Sequence, residues 1–459
     1  MLRNSDNQDR LRHHHADLLI KGGMVATPNG LEMTDVACLD GQIISMHATG
    51  WMADDVIHAK GLHVLPGVID TQVHFREPGL VHKENFEAGT RGAVLGGITT
   101  IFEMPNTSPL TITGEDLLDK LEMATGKGWC DFAFYMGGSD ANAERLAELE
   151  LLPGCAGIKV FMGSSFGDLL AEEDEVLSRI LRHGKRRLAV HAEDEARLRE
   201  RRAIVEASGD VRDHPVWRDE ISALRATQRI VSIAQACGRR LHVLHVSTAD
   251  EMAFLAQHKA RVTVEVLPQH LTFCAPECYE RLGTLAQMNP PVRDAHHQAA
   301  LWEAVRNGTV DVLGSDHAPH TLAEKAKPYP QSPSGMPGVQ TLLAVMLNHV
   351  NQSKLSLERL IDLTSAGPAR VFGIESKGRL ALGYDADLVL VNLSARRIIT
   401  NQSMANVSGW TPYDGMQVTG WPIATVLRGR CVMRDDEMIG LPSGRAVRFL
   451  EVPRLVVRQ

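Results

Sequence analysis

Apolar residues gather into eight short runs along the middle of the chain, most of them rich in β-branched or aromatic residues. The runs are Leu62–Asp70, Gly97–Pro105, Asp131–Gly138, Gly157–Gly163, Arg187–Asp194, Leu241–Thr248, Arg261–His270 and Val310–His320. Between them lie segments such as GEDLLDKLEMATG and DEISALRATQRIVSIAQACG, whose apolar positions recur at helical spacing. Strand–helix alternation predicts a parallel sheet, and eight units predict an α/β fold of the closed (β/α)8, or TIM-barrel, type over residues 67–372. The flanks differ. The stretch from Ala16 to Met46, then 378–393 and 421–440, read as short strands with Gly and Asn turns. Residues 17–66 and 373–459 therefore predict one small β-sandwich domain built from both chain ends, with residues 1–16 as a flexible N-terminus.

Most of the eight runs begin apolar and end on something chemical: His74, Asn106, Lys159, His191, His245 and Asp316. In a barrel of this type the C-terminal strand ends form the mouth where chemistry is done. A single buried histidine is usually a hydrogen-bonded core residue. Recurrence at the same point of successive units is what points to a site.

Composition narrows the field. Net charge is -8 over 459 residues, so a general affinity for nucleic acid is not expected. No apolar run approaches the roughly 20 residues that span a bilayer, and the N-terminus lacks the apolar core of a signal peptide. The expected location is cytoplasmic, without membrane attachment. Seven cysteines, scattered and odd in number, suit free buried thiols; Cys274 and Cys278 are the one close pair. Histidine is unusually frequent, with 20 copies, of which His13 to His15 form an incidental polar tract. There is no G-x-S-x-G elbow, P-loop or strand-linked G-x-G-x-x-G.

Five side chains suit a metal centre: His74, Lys159, His191, His245 and Asp316. Imidazole and carboxylate are the usual ligands of catalytic zinc. A lysine joins them only if CO2 converts it to a carbamate, whose two oxygens can bridge two metals. Otherwise Lys159 neutralises nearby carboxylates. Asp316 is placed to take a proton from bound water and return it to a leaving nitrogen; the simpler readings are a pure ligand or a helix cap. Arg76, Asn106 and His320 form a second group at the same mouth. A guanidinium fork suits a substrate carboxylate, unless Arg76 is ion-paired with Glu77 or Glu103.

The order of motifs resembles the dihydroorotases of the cyclic amidohydrolase superfamily over nearly the whole chain. DTQVHFREPG (Asp70–Gly79) is similar to the opening motif Asp-x-His-x-His-x-Arg-Glu-Pro-Gly; MPNT, IKVFMG, HAED, HVLHVST, MNPPVR and GSDHAPH follow in order. The resemblance implies Zn2+, one or two per chain, with a CO2-derived carbamate on Lys159. It implies Asp316 as catalytic acid/base and Arg76, Asn106, Asn289 and His320 as substrate-binding residues. The implied reaction interconverts N-carbamoyl-L-aspartate and L-dihydroorotate in pyrimidine synthesis, through metal-bound hydroxide. A homodimer is implied; association with aspartate carbamoyltransferase belongs to a further alternative, a catalytically silent homologue that supports that enzyme. Allantoinases and hydantoinases share the fold, and a catalytically silent homologue is the remaining alternative; the arginine of REPG and the asparagine of MPNT favour dihydroorotase. Three departures stand out: Gln340 replaces a usual glutamate, Gln269 sits in PQHL where the family often has two histidines, and Gln72 replaces the first histidine of His-x-His. Gln72 is a candidate metal ligand, but its amide oxygen is a neutral, weak donor. The expectation is a well-held buried metal on Lys159, His191 and His245 and a weakened exposed one on His74, Lys159 and Asp316. The Pro- and Ser-containing segment 321–334 is a candidate loop over the substrate.

Overall fold

The computed structural model describes residues 7, 8, 10, 11, 13–163 and 169–450. The first strands are β1 (His15–Thr27), β2 (Gly30–Leu39), β3 (Gln42–Ser45), β4 (Met52–His58) and β5 (His63–Pro66). The barrel strands follow: β6 (Val68–Val73), β7 (Ile98–Glu103), β8 (Asp131–Gly137), β9 (Cys155–Phe161), β10 (Leu188–His191), β11 (Leu241–Val243), β12 (Val262–Val266) and β13 (Val312–Leu313). The last are β14 (Leu388–Ile398), β15 (Gln417–Leu427), β16 (Arg430–Arg434) and β17 (Glu437–Met438).

The eight barrel strands form one parallel sheet in sequence order, each drawn from one of the eight apolar runs. Its edges meet where Val73 bridges His317, the His74 amide donates to the His317 carbonyl at 2.8 Å, and the Ser315 amide donates to Asp70 Oδ1 at 3.0 Å. The run Leu62–Asp70 proves to be two strands in two sheets, β5 and β6. Gly67 makes the passage between them: a Cβ there would lie 2.2 Å from Thr99 Oγ1, so only glycine fits.

Side-chain alternation sorts the barrel. Ile158, Val160, Leu188, Val190, Leu241, Val243, Val262 and Val264 join the apolar layer that also holds helix residues such as Leu177, Ile230 and Leu301. The alternate positions, including Lys159, His191 and Glu265, therefore point inward. The floor of the barrel is filled: Phe102 meets Phe372, on the helix Gly367–Phe372, and Phe449 at 5.3 and 5.7 Å between ring centres. Chemistry is confined to the other end.

The outer strands form one mixed nine-stranded sheet in the order β17-β16-β15-β14-β5-β1-β2-β3, with β4 on β1. The two chain ends join where β5 pairs antiparallel with β14, Val64 opposite Leu390, over a core that includes Ile20, Val36, Leu388 and Val426. The N-terminal stretch is shorter than expected, because β1 begins at His15. Arg10 bonds Asp17 at 2.7 Å and the Ala16 carbonyl at 3.0 Å, and His14 stacks on Trp51. Residues 1–6, 9 and 12 of that stretch lie outside the described residues. Among the described residues no helix is long and apolar enough to cross a membrane. All seven cysteines are free.

Candidate active site at the barrel mouth

Gln72 and His74 lie at the end of β6 and face Asp316, which follows β13. Gln72 Nε2 donates to Asp316 Oδ1 at 3.0 Å, and His74 Nε2 lies 3.2 Å from the same oxygen. His74 Nδ1 meets Asn106 Oδ1 at 2.7 Å. The amide oxygen only accepts, so Nδ1 carries the proton and Nε2 presents a lone pair to the carboxylate. Two acceptors at that distance need a positive charge between them, a proton or a metal ion. No helix starts at Asp316, so it is not a cap.

The second cluster comes from β9, β10 and the end of β11. His191 Nδ1 and His245 Nε2 face each other at 3.0 Å. His191 Nε2 meets Glu193 Oε2 at 2.8 Å, which places its proton there and leaves Nδ1 as a lone pair. Glu193 is held in turn by Arg218, whose Nε reaches Oε1 at 3.1 Å. Burial alone would raise the Glu193 carboxyl, but Arg218 and His191 keep it well below the usual range. Lys159 is 1% exposed, and among the described residues its Nζ has no hydrogen-bond partner. The amine lies over the Phe161 ring at 4.4 Å. Burial pulls its pKa down to about 7, against the opposing pull of Asp316 and Glu265. It is thus no neutralising partner in an ion pair. An orphaned lysine, two facing imidazole nitrogens and an imidazole–carboxylate contact are the donor set of a divalent cation site, and the residues fit a metal.

Arg76 is buried and ionised, with burial lowering its pKa only to about 10. The two glutamates that could have paired with it are taken: Glu77 accepts from Lys127 at 3.1 Å and the Phe86 amide at 2.8 Å, and Glu103 pairs with Lys120 at 3.1 Å. Among the described residues no carboxylate lies within ion-pair distance of Arg76. Its Nε donates to the Pro319 carbonyl at 3.3 Å, and Nη2 lies 3.4 Å from His320 Nε2. Burial, then Arg76, Lys83 and Lys325, drive the His320 pKa far down, so this ring is neutral. Gly79 shows why REPG and MPNT occur together. Its φ is +95°, and a Cβ there would sit 2.3 Å from the Ser108 carbonyl, so the two loops pack through it. Asn289 stands apart from this group. Its Oδ1 meets His214 Nε2 at 3.0 Å, and His214 Nδ1 meets the Tyr329 hydroxyl at 3.0 Å.

Arg76, His245 and Asp316 all adopt positive φ (62°, 38° and 42°) without being glycine. Such backbone costs roughly 1–3 kcal/mol per residue and gathers where geometry serves function. Segment 321–334 is tied down: Lys325 Nζ donates to the carbonyls of Gln287, Pro333 and Gly335 at 3.0, 2.9 and 3.0 Å. Gln340 lies away from the chemistry, bonded to Ser403 and Ala405.

Sequence reasoning missed Glu193 and Arg218. Glu193 follows His191 at the spacing that returns to one face of a strand, which is a usable signal; Arg218 carries none. It also missed a second carboxylate cluster, Asp131, Asp385 and Asp387, whose oxygens could suit a metal. Lys377 already fills that position, at 2.7 Å from Asp131 and 3.1 Å from Asp385 and in contact with Asp387, and Arg428 contacts Asp131.

Comparison with known proteins gives a consistent picture. The amidohydrolase family matches residues 63–432. A dihydroorotase of Methanosarcina mazei is 36% identical over 95% of this chain and 98% of its own. An allantoinase of Deinococcus radiodurans is 35% identical over 94% and 98%. The solved L-hydantoinase (dihydropyrimidinase) from Arthrobacter aurescens superposes with a TM-score of 0.90 at 32% identity, over 94% and 99%.

Proposed function

The chain belongs to the amidohydrolase family and is a metal-dependent hydrolase of cyclic amides; from that premise we propose that it is a dihydroorotase, interconverting N-carbamoyl-L-aspartate and L-dihydroorotate. The observation that carries this reading is Arg76, a buried guanidinium at the same mouth as Asp316 with no carboxylate within ion-pair distance among the described residues. Asp316, Glu103, Glu324 and Glu84 act on Arg76 only from beyond ion-pair distance, and a buried cation without a direct partner is better stabilised when a ligand supplies one. Hydantoin and allantoin rings carry no carboxylate.

His191, His245, Lys159 as its carbamate, His74 and Asp316 would hold zinc. Burial lowers the pKa of the Lys159 amine to about 7, so a substantial share of it is in the neutral form that adds CO2. When bound, the metal supplies Lewis acidity and a water of lowered pKa. Arg76 binds the substrate carboxylate. Neutral His320 lines the same pocket, and Asn106 keeps its amide N–H2 for substrate because its oxygen is held by His74. Asp316 accepts the proton of the attacking water and delivers it to the departing ring nitrogen; ring closure reverses these steps. A homodimer accompanies this reading and is tested by the mass of the particle in solution, and a cytoplasmic location by cell fractionation; association with aspartate carbamoyltransferase belongs to the alternative of a silent homologue, which turnover of L-dihydroorotate would exclude.

The experiment compares kcat/KM of the zinc- and bicarbonate-loaded protein on L-dihydroorotate, hydantoin and allantoin. L-dihydroorotate is expected to be preferred, and Arg76→Met to lose about a hundred-fold or more on it alone. Turnover of an uncharged ring without turnover of L-dihydroorotate would sink the reading.

A further inference from the structure

We propose that Gln72 is a positioning residue and not a metal ligand, so that each chain holds one metal, on the Lys159–His191–His245 side. The inference rests on the amidohydrolase reading above.

Gln72 is buried, 2% exposed, and its Nε2 donates to Asp316 Oδ1 at 3.0 Å. An ionised carboxylate only accepts, so the amide must turn its nitrogen towards Asp316. The two ends of a carboxamide lie on opposite sides of its carbon. The oxygen, the only atom that could bind a cation, is therefore turned away from Asp316; it is unpaired among the described residues, so its lone pairs are open to a ligand on that other side but not to a cation shared with Asp316. To ligate a metal shared with Asp316 the amide would have to turn over and give up its hydrogen bond to that carboxylate. The neutral oxygen gained would also be a weaker donor than imidazole.

The other half of the centre has the opposite character. His191 and His245 already face each other, Glu193 fixes the tautomer of His191, and Arg218 anchors Glu193. Supporting carboxylates of this kind strengthen a metal-bound histidine. Near β6, Gln72 and His74 both converge on Asp316 Oδ1. There the side-chain amide takes over the fixing of Asp316 that a second cation would otherwise perform.

The test counts zinc by elemental analysis after loading with zinc and bicarbonate and passage over a chelating resin. It needs no substrate, so the zinc count holds even if the substrate proposed above is wrong. Wild type is expected to retain one zinc per chain, Gln72→Ala one, and Gln72→His two. Cobalt-loaded Gln72→His should show a spin-coupled pair by electron paramagnetic resonance, absent in wild type. Gln72→Ala, checked for an unchanged circular dichroism spectrum, should lower kcat by about ten-fold with little change in KM, as loss of one hydrogen bond to a charged group allows. Two zincs in wild type falling to one in Gln72→Ala would make Gln72 a ligand and overturn the proposal. Two zincs in both proteins, or none in wild type, would overturn the single-metal site.

Discussion

Two buried clusters of ionisable groups lie at opposite ends of this barrel, and they differ in what is left over. At the floor end, Asp131, Asp385 and Asp387 surround Lys377, and Arg428 adds a second cation. Every carboxylate there meets a positive charge supplied by the chain. At the mouth, among the described residues, Lys159 Nζ and His245 Nδ1 have no hydrogen-bond partner and no carboxylate lies within ion-pair distance of Arg76. A count of acids alone would select the floor as the metal site. Satisfaction selects the mouth, because a folded chain leaves buried polar groups unpaired chiefly where something else is meant to meet them.

The strongest way to break this contrast is to remove the lysine at each end. Lys377→Met should strand buried Asp387 and half-buried Asp385, leave Asp131 with Arg428 alone, and cost about 3–5 kcal/mol of stability, read by denaturant unfolding, while zinc content stays unchanged in whatever folds. Lys159→Met should do the reverse. Zinc is lost, turnover falls about a thousand-fold or more, and the metal-free protein is as stable as wild type or about 1 kcal/mol more so, because an unpaired buried amine has been removed. If Lys159→Met destabilised the metal-free protein as Lys377→Met does, the two clusters would be alike and the mouth would be structural.

A smaller effect sharpens the support behind the mouth. Glu193→Gln keeps the shape but gives His191 a neutral partner. Zinc affinity, measured by competition with a chelator, is expected to fall about 10–100-fold. Arg218 loses its counter-charge in the same variant, so a modest drop in melting temperature accompanies it. Unchanged zinc affinity would mean that the Glu193–Arg218 pair serves only packing.

How much of the molecule was legible in its sequence follows the same division. The barrel was readable because its apolar runs are short, regular and separated by amphipathic segments. Five proposed metal ligands were readable because period-two alternation and strand ends put them at one mouth. Other features were hidden because they depend on distant segments meeting. Arg218 reaches Glu193 from a separate helix–turn region, and Lys325 ties its loop to three carbonyls that no local pattern announces. The division of Leu62–Asp70 between two sheets turns on the fit of Gly67 against Thr99, which is a contact and not a pattern. The orientation of the Gln72 amide likewise comes from Asp316, 244 residues away.

The gentlest probe is acid, since the two ends should respond over different ranges. At the mouth, burial lowers the pKa of His214 to about 3 and that of His270 to about 4. Unfolded, each histidine would titrate near 6.5. Between those values the unfolded chain holds protons that the folded chain refuses, so stability falls as pH drops below about 6.5. At the floor the sign and range differ. Burial would raise Asp131, but Lys377 and Arg428 hold it below its ordinary value, so its contribution is present above about pH 4 and is lost only below that. Asp387 is pushed up by burial, despite Lys377, so protonation in mild acid favours its folded form. In metal-free protein, hydrogen exchange around Asn289 and Tyr329 should therefore quicken by pH 5, while the start of β8 stays protected. His214→Gln should remove one proton from the linkage and flatten the pH dependence of stability by about 1 kcal/mol per pH unit within that window. Parallel loss of protection at both ends would mean that the two clusters unfold as one unit, and the contrast between them would then concern chemistry alone.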